Sequence, residues 1–122
     1  MKIAAVIDNE GNVLPLPDGQ EIIIYDIEGK TQKKYHNPGF DLETNRRSAT
    51  TDFMAQNGVN IVCTVPATFC PVSRDKAKEY SLKFIRLQKG AKFQEVLLNI
   101  DKYLSLSTDD IPDDELFKRV KL

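Results

Sequence analysis

Two cysteines, one histidine and two adjacent arginines are the residues of this 122-residue chain best suited to chemistry. Cys70 immediately precedes Pro71, and proline suits the first turn of a helix because its missing N–H would find no intrahelical partner there. A cysteine just ahead of a helix meets unpaired backbone N–H groups and the positive end of the dipole, both of which stabilise a thiolate. The thiolate is the form that ligates a metal or attacks an electrophile, so Cys70 is the first candidate ligand; the alternative is a small buried loop cysteine with no role. Cys63 sits inside the apolar run VNIVCTV and reads as a small core hydrophobe. The two are too far apart for a Cys-x-x-Cys pair, and two thiolates are too few for a four-ligand cluster site. A cluster held here would need a second copy of the chain or non-protein ligands.

Arg46 and Arg47 stand early in a helical stretch, the wrong end for cations by dipole logic. That mismatch fits either a solvated charged face or an anion-binding corner, where guanidinium and N–H groups converge on a phosphate, a carboxylate or the acidic groups of a cluster. Arg74 and Lys76 would extend the same positive rim. His36 is the single histidine, so neither a His-based metal cluster nor a Ser-His-Asp set with a spare base exists. At the exit of an edge strand it reads as a surface hydrogen-bonding group or as a ligand. Asp8 ends the first strand in a position that would suit two-metal phosphoryl chemistry. However, Cys63–Thr64–Val65 supplies no second acid, and the first helix offers only Glu43 and Asp52. Phosphate-loop, nucleophile-elbow and HExxH patterns are missing too, so no enzyme is expected.

Composition narrows the classes further. Hydrophobic residues at 41% and charged residues at 29% are ordinary for a soluble globular domain. Seventeen Lys plus Arg against eighteen Asp plus Glu leave a net charge of −1, with no basic excess to drive nucleic-acid binding. No apolar run reaches membrane-spanning length, and MKIAAVID lacks the cleavage region of a signal peptide. Two cysteines make no disulfide framework, so a reducing, cytoplasmic setting is expected.

The elements that must position these residues follow from periodicity and turn chemistry. Residues 2–8 read as a buried strand, and the Pro- and Gly-containing NVLPLPDGQ as a loop. Residues 21–28 and the polar, edge-type 31–36 form a hairpin, followed by the NPGF turn. Asp41 is placed to cap a helix over 42–57 that Gly58 stops. Then come a buried strand over 59–65, a loop over 66–70, a helix over 71–80, a strand over 82–87 and a helix over 91–104. The acid-then-base segment after residue 105 predicts a short helix over 113–120, with Leu116, Phe117 and Val120 docking on the domain or on a partner. The order β-β-β-α-β-α-β-α predicts a single α/β domain over 1–104, a five-stranded mixed sheet flanked by helices, plus a C-terminal extension over 105–122.

Several phrases occur in a familiar order: MKIAAVID, IIIYDIEGK, the HNPG turn, AQNGVNIVCTV and CPVSRDKAKEYSLKFI, with the helix over 93–104 closing the domain. Together they resemble the dinitrogenase iron-molybdenum cofactor biosynthesis family, small ribonuclease-H-like α/β domains that carry or insert iron-sulfur-type cofactor precursors. The chain would be a divergent member. Leu14–Pro15–Leu16–Pro17–Asp18–Gly19 replaces the family's Ser-x-His-Phe-Gly phrase. Ala67–Thr68–Phe69–Cys70–Pro71 replaces Gly-x-Gly-Pro, and Arg46–Arg47–Ser48–Ala49–Thr50 replaces a glycine-rich helix start. The resemblance implies a non-enzymatic carrier of an iron-sulfur or iron-molybdenum cofactor precursor. Its cargo would lie in the crevice between the 14–19 and 67–71 loops, with Cys70 as metal ligand, Arg46 or Arg47 balancing charge and His36 in the family turn. The alternative is a degenerate member that has lost its cofactor and acts as a protein-interaction or self-association (dimer) module through the C-terminal stripe.

Overall fold

The computed structural model describes residues 1–118. Its sheet is built outward from β1 (Lys2–Ile7), in which every residue after Lys2 is buried. Ile3, Ala5 and Ile7 point to one face and Ala4 and Val6 to the other, the period of two that puts a core on each side. Short β2 (Val13–Leu14) and β3 (Glu21–Asp26) pair antiparallel with β1, and β4 (Thr31–His36) pairs antiparallel with β3. On the other side of β1 lie β5 (Ile61–Thr64) and then β6 (Lys83–Arg86), both parallel. The order β4-β3-β1-β5-β6 is the expected mixed sheet, with polar β4 at an edge. Helices α1 (Arg46–Gln56) and α2 (Pro71–Glu79) cover one face, where Leu16, Met54, Phe69 and Phe84 pack. Helices α3 (Phe93–Leu98) and α4 (Ile100–Ser105) cover the other, where Phe93 and Val96 meet Ile3, Ile7 and Ile85.

Four expectations need correction. Part of the 12–20 loop is regular, since Val13 and Leu14 pair with Ile7 and Val6. The first helix begins at Arg46 rather than near residue 42, and Asp41 does not cap it. Asn37 instead caps a 3-10 turn (Pro38–Phe40), and Asn45 precedes α1 in the left-handed region at φ 54° with no side-chain cap. Gly39 explains the detour: a Cβ there would lie 2.2 Å from Thr50 Oγ1 and 2.3 Å from the Arg46 carbonyl oxygen. The third helix is two short ones, broken where Asn99 leaves helical geometry and donates its side-chain amide to the Glu95 carbonyl.

The fourth correction concerns the C-terminal segment. In place of a helix over 113–120 there is one 3-10 turn (Asp113–Glu115) followed by extended chain; Val120 lies outside the described residues. Thr108 exchanges two backbone hydrogen bonds with Phe84, which covers the outer edge of β6. Ala67 then donates to the Glu115 carbonyl at 2.9 Å, and Phe117 to the Phe69 carbonyl at 2.8 Å. Ile111 and Leu116 are buried in the same core as Leu16 and Phe84, so this segment docks on its own domain. Among the described residues no helix is long and apolar enough to cross a membrane.

Candidate functional site

The crevice expected between the 14–19 and 67–71 loops is closed. Leu16 fills it with no exposed surface, its N–H directed at the Thr68 carbonyl, and Thr68 is itself tied to both backbone groups of Val65. The open space lies one step away, between the first turns of α1 and α2. It is a cleft of about 500 Å³ lined by residues 43–48, by Cys70, Pro71 and Val72, and by Phe117 and Lys118 of the C-terminal strap.

Cys70 occupies the N-cap of α2, extended at φ −98° and ψ 171°, with Pro71 at the first helical position as expected. Ser73 completes a capping box: its Oγ accepts from the Cys70 N–H at 3.0 Å and lies 3.3 Å from Cys70 Sγ. Burial pushes the Cys70 thiol up. The Ser73 hydroxyl, the N–H groups of Ser73 and Val72 and the Arg47 charge pull it down, and the balance falls below an ordinary thiol. Cys63 is the contrast. It is sealed in the core beneath α3, and burial alone drives its thiol up to about 12.

The two arginines do different work. Arg46 lines the cleft, but its guanidinium donates to the carbonyls of Gly39, Pro17 and Phe40 at 2.8–3.0 Å, which ties the strand-to-helix turn to α1. Arg47 donates to the Ala67 and Thr68 carbonyls at 2.9 and 3.1 Å, and the Phe117 ring stacks 4.1 Å from its guanidinium carbon. Of the pair, Arg47 is the cation that acts on Cys70. Behind both, fully buried Asn37 donates to the Leu16 and Gly19 carbonyls and accepts from the Gly39 N–H and the Thr50 hydroxyl. Since Asn45 provides no side-chain cap, the N–H groups of Arg46, Arg47 and Ser48 have no acceptor among the described residues. The starts of two helices thus open on one space, with the thiol at one and free donors at the other.

The remaining candidates lie elsewhere. His36 Nε2 hydrogen-bonds with the Asp41 carboxylate, both residues being exposed, and lines no part of the cleft. Arg74 is matched by Asp75 and Asp110, and Lys76 by Asp52, which also accepts from the Tyr80 hydroxyl at 2.6 Å; the extended positive rim is therefore neutralised. Asp8 caps its own turn, accepting from the N–H groups of Glu10 and Asn12 and from the Asn12 amide, which holds its carboxyl below the usual range. No group of three or more His, Cys, Asp or Glu side chains among the described residues is arranged to hold a metal ion. Sequence reasoning missed Ser73, Asn37 and Phe117. A serine three residues after an N-cap and the Asn-Pro-Gly turn were available signals for the first two; only the fold brings Phe117 here.

Sheet order, helix placement and the site at the helix starts define a small α/β domain with a mixed sheet flanked by helices. The same fold is seen in the apo form of the orange protein from Desulfovibrio gigas, with a TM-score of 0.71 and 16% identity over 84% of this chain and 88% of that one. At that identity the likeness is one of fold. No protein-family model matches the chain, and no curated protein does either.

Proposed function

We propose that the protein is a non-enzymatic carrier of a preassembled, anionic metal–sulfur cofactor precursor of the iron-sulfur or iron-molybdenum type, loaded in the cleft at Cys70. The observation that carries this reading is an ionisable thiol at the start of α2, opening on the same space as the uncapped start of α1. One soft ligand is too few to assemble a cluster, so the donor set suits a cargo that arrives with its own sulfide ligands. Cys70 would replace one exchangeable ligand on an outer metal of that cargo. The N–H groups of Arg46, Arg47 and Ser48 would take its anionic periphery, and Pro71, Val72 and Phe117 would give it apolar walls. That a solved structure of the same fold is described as an apo form is consistent with a fold that takes up a ligand.

Of the stripe on which the interaction-module reading rests, Leu116 is only 7% exposed and packs inward, whereas Phe117 is 40% exposed and Val120 lies outside the described residues. The test is anaerobic incubation with a preassembled, thiolate-ligated iron–sulfur cluster, wild type beside Cys70→Ala, followed by desalting and metal analysis. The expected result is near-stoichiometric metal in the wild type and at least a tenfold loss in the variant. Equal loading of both proteins would remove Cys70 from the site.

A further inference from the structure

We propose that the outer edge of β4 is a docking site for an extended acidic segment of a partner protein, which adds to the sheet as one more strand. No residue of β4 lines the cleft at Cys70, so this proposal and the carrier reading can fail separately. The fold treats its two sheet edges differently. At β6 the chain returns, and Thr108 exchanges backbone hydrogen bonds with Phe84 to cover that edge. At β4, among the described residues, no chain pairs with the outer side. β4 is six residues long and, apart from half-buried Tyr35, exposed throughout. Such an edge presents a row of unpaired N–H and C=O groups that another strand can match one for one.

The ladder shows which groups these are. The Asn37 N–H donates to the Gln20 carbonyl, one step beyond the last β3–β4 pair, and on the other side of β3 the Ile27 N–H donates to the Met1 carbonyl. Inward-bonding residues alternate along an antiparallel pair. Thr31, Lys33 and Tyr35 therefore bond to β3, while Gln32, Lys34 and His36 turn their backbone groups outward. The side chains supply the charge. Lys33 and Lys34 stand opposite Ile24 and Ile23 of β3, with no acid across the pair. Neither they nor Lys30 of the preceding turn has an ion pair among the described residues, whereas Arg74, Lys76, Lys78 and Arg86 are each matched by a carboxylate. Acids lie only at the ends of the strand, with Glu21 opposite His36, Asp26 opposite Thr31, and Asp41 hydrogen-bonded to His36. Successive side chains alternate faces, so Lys33 and Lys34 project to opposite sides of the sheet. A docked strand with two adjacent acidic residues places one beside each lysine. A second copy of β4 would instead bring its own lysines to the same short edge, which disfavours self-pairing.

The experiment is an NMR titration with amide hydrogen exchange on the full, isotope-labelled chain. The probe is a capped synthetic peptide in which two adjacent glutamates are flanked by alternating threonine and valine; the control has lysines in place of the glutamates. The expected result is saturable binding of the acidic peptide that slows exchange at the Gln32, Lys34 and His36 amides about tenfold. The amides of Ser48 and Val72, at the cleft, stay unmoved. Lys33→Glu combined with Lys34→Glu changes only exposed side chains and should weaken binding about tenfold. Gln32→Pro removes one outward N–H while keeping both lysines and the ladder to β3, and should weaken it similarly. The proposal is overturned by an absence of binding, by a control peptide or charge-reversed variant that binds as tightly, or by binding that leaves the three amides unprotected. Self-association of the chain that protects the same amides also overturns it, since the occupant is then a second copy.

Discussion

Ser73 Oγ lies 3.3 Å from Cys70 Sγ and 3.0 Å from Cys70 N, so one hydroxyl both caps α2 and partners the thiol at its start. Ser73 has no exposed surface, and its single O–H has two acceptors within reach, the Cys70 carbonyl at 3.2 Å and, once the thiol ionises, the sulfur. Helix stability and thiol ionisation are therefore linked through a single side chain. Ser73→Ala should raise the Cys70 thiol, slowing its alkylation at neutral pH, and cost about 1 kcal/mol of stability. Alkylation profiles and urea titrations check the two effects separately. A variant less stable but equally reactive would mean that the hydroxyl serves only the helix.

Asn37 should be the costliest polar side chain to remove. It joins the 14–19 loop, the 3-10 turn and α1 through four hydrogen bonds in a fully buried position. Asn37→Ala strands the Leu16 and Gly19 carbonyls and the Gly39 N–H away from water, and should destabilise the fold by about 3 kcal/mol or more. Denaturant unfolding measures it; a loss below about 1 kcal/mol would show that these groups find other partners.

The C-terminal segment behaves as part of the domain. Ending the chain after residue 107 removes buried Ile111 and Leu116 and uncovers the edge of β6. The truncated protein should lose cooperative unfolding or aggregate, and Leu116→Ala alone should cost about 2–3 kcal/mol. A truncated chain that unfolds with unchanged midpoint and slope would contradict this packing.

The two cysteines predict opposite responses to pH. Cys63 titrates at about 12 in the folded chain against an ordinary 9.0, so above pH 9 the unfolded state loses its proton first and binds fewer protons. Its contribution is complete below pH 9 and is lost as pH rises toward 12. Cys70 is lowered on folding, so the unfolded state binds more protons over its window and stability rises with pH there. Cys63→Ala should flatten the alkaline loss, measured as ΔG against pH beside the wild type, while Cys70→Ala leaves that loss in place.

Much of the fold was legible because it follows from local pattern. The apolar runs of β1, β3 and β5, the polar edge strand 31–36, Gly58 at φ 77° after α1 and Pro71 opening α2 all stand where run length and turn chemistry put them. What was not legible depends on distant partners. The late start of α1 is set by Gly39 packed against Thr50, and the inward turn of Leu116 by a core completed only when the chain returns over β6. The site divides in the same way. Cys70 was visible from its place before a proline, but the division of labour between Arg46 and Arg47 rests on carbonyls of residues 17, 39, 40, 67 and 68, which no spacing rule connects to them.

The carrier reading is tested most directly by the visible absorption spectrum and metal content of the wild-type protein after anaerobic incubation with a preassembled, thiolate-ligated iron–sulfur cluster and desalting. The account predicts charge-transfer bands and close to one cofactor's complement of metal per cleft, both lost in Cys70→Ala while its far-UV circular dichroism matches the wild type. A colourless, metal-free wild type, or a coloured Cys70→Ala, would contradict it.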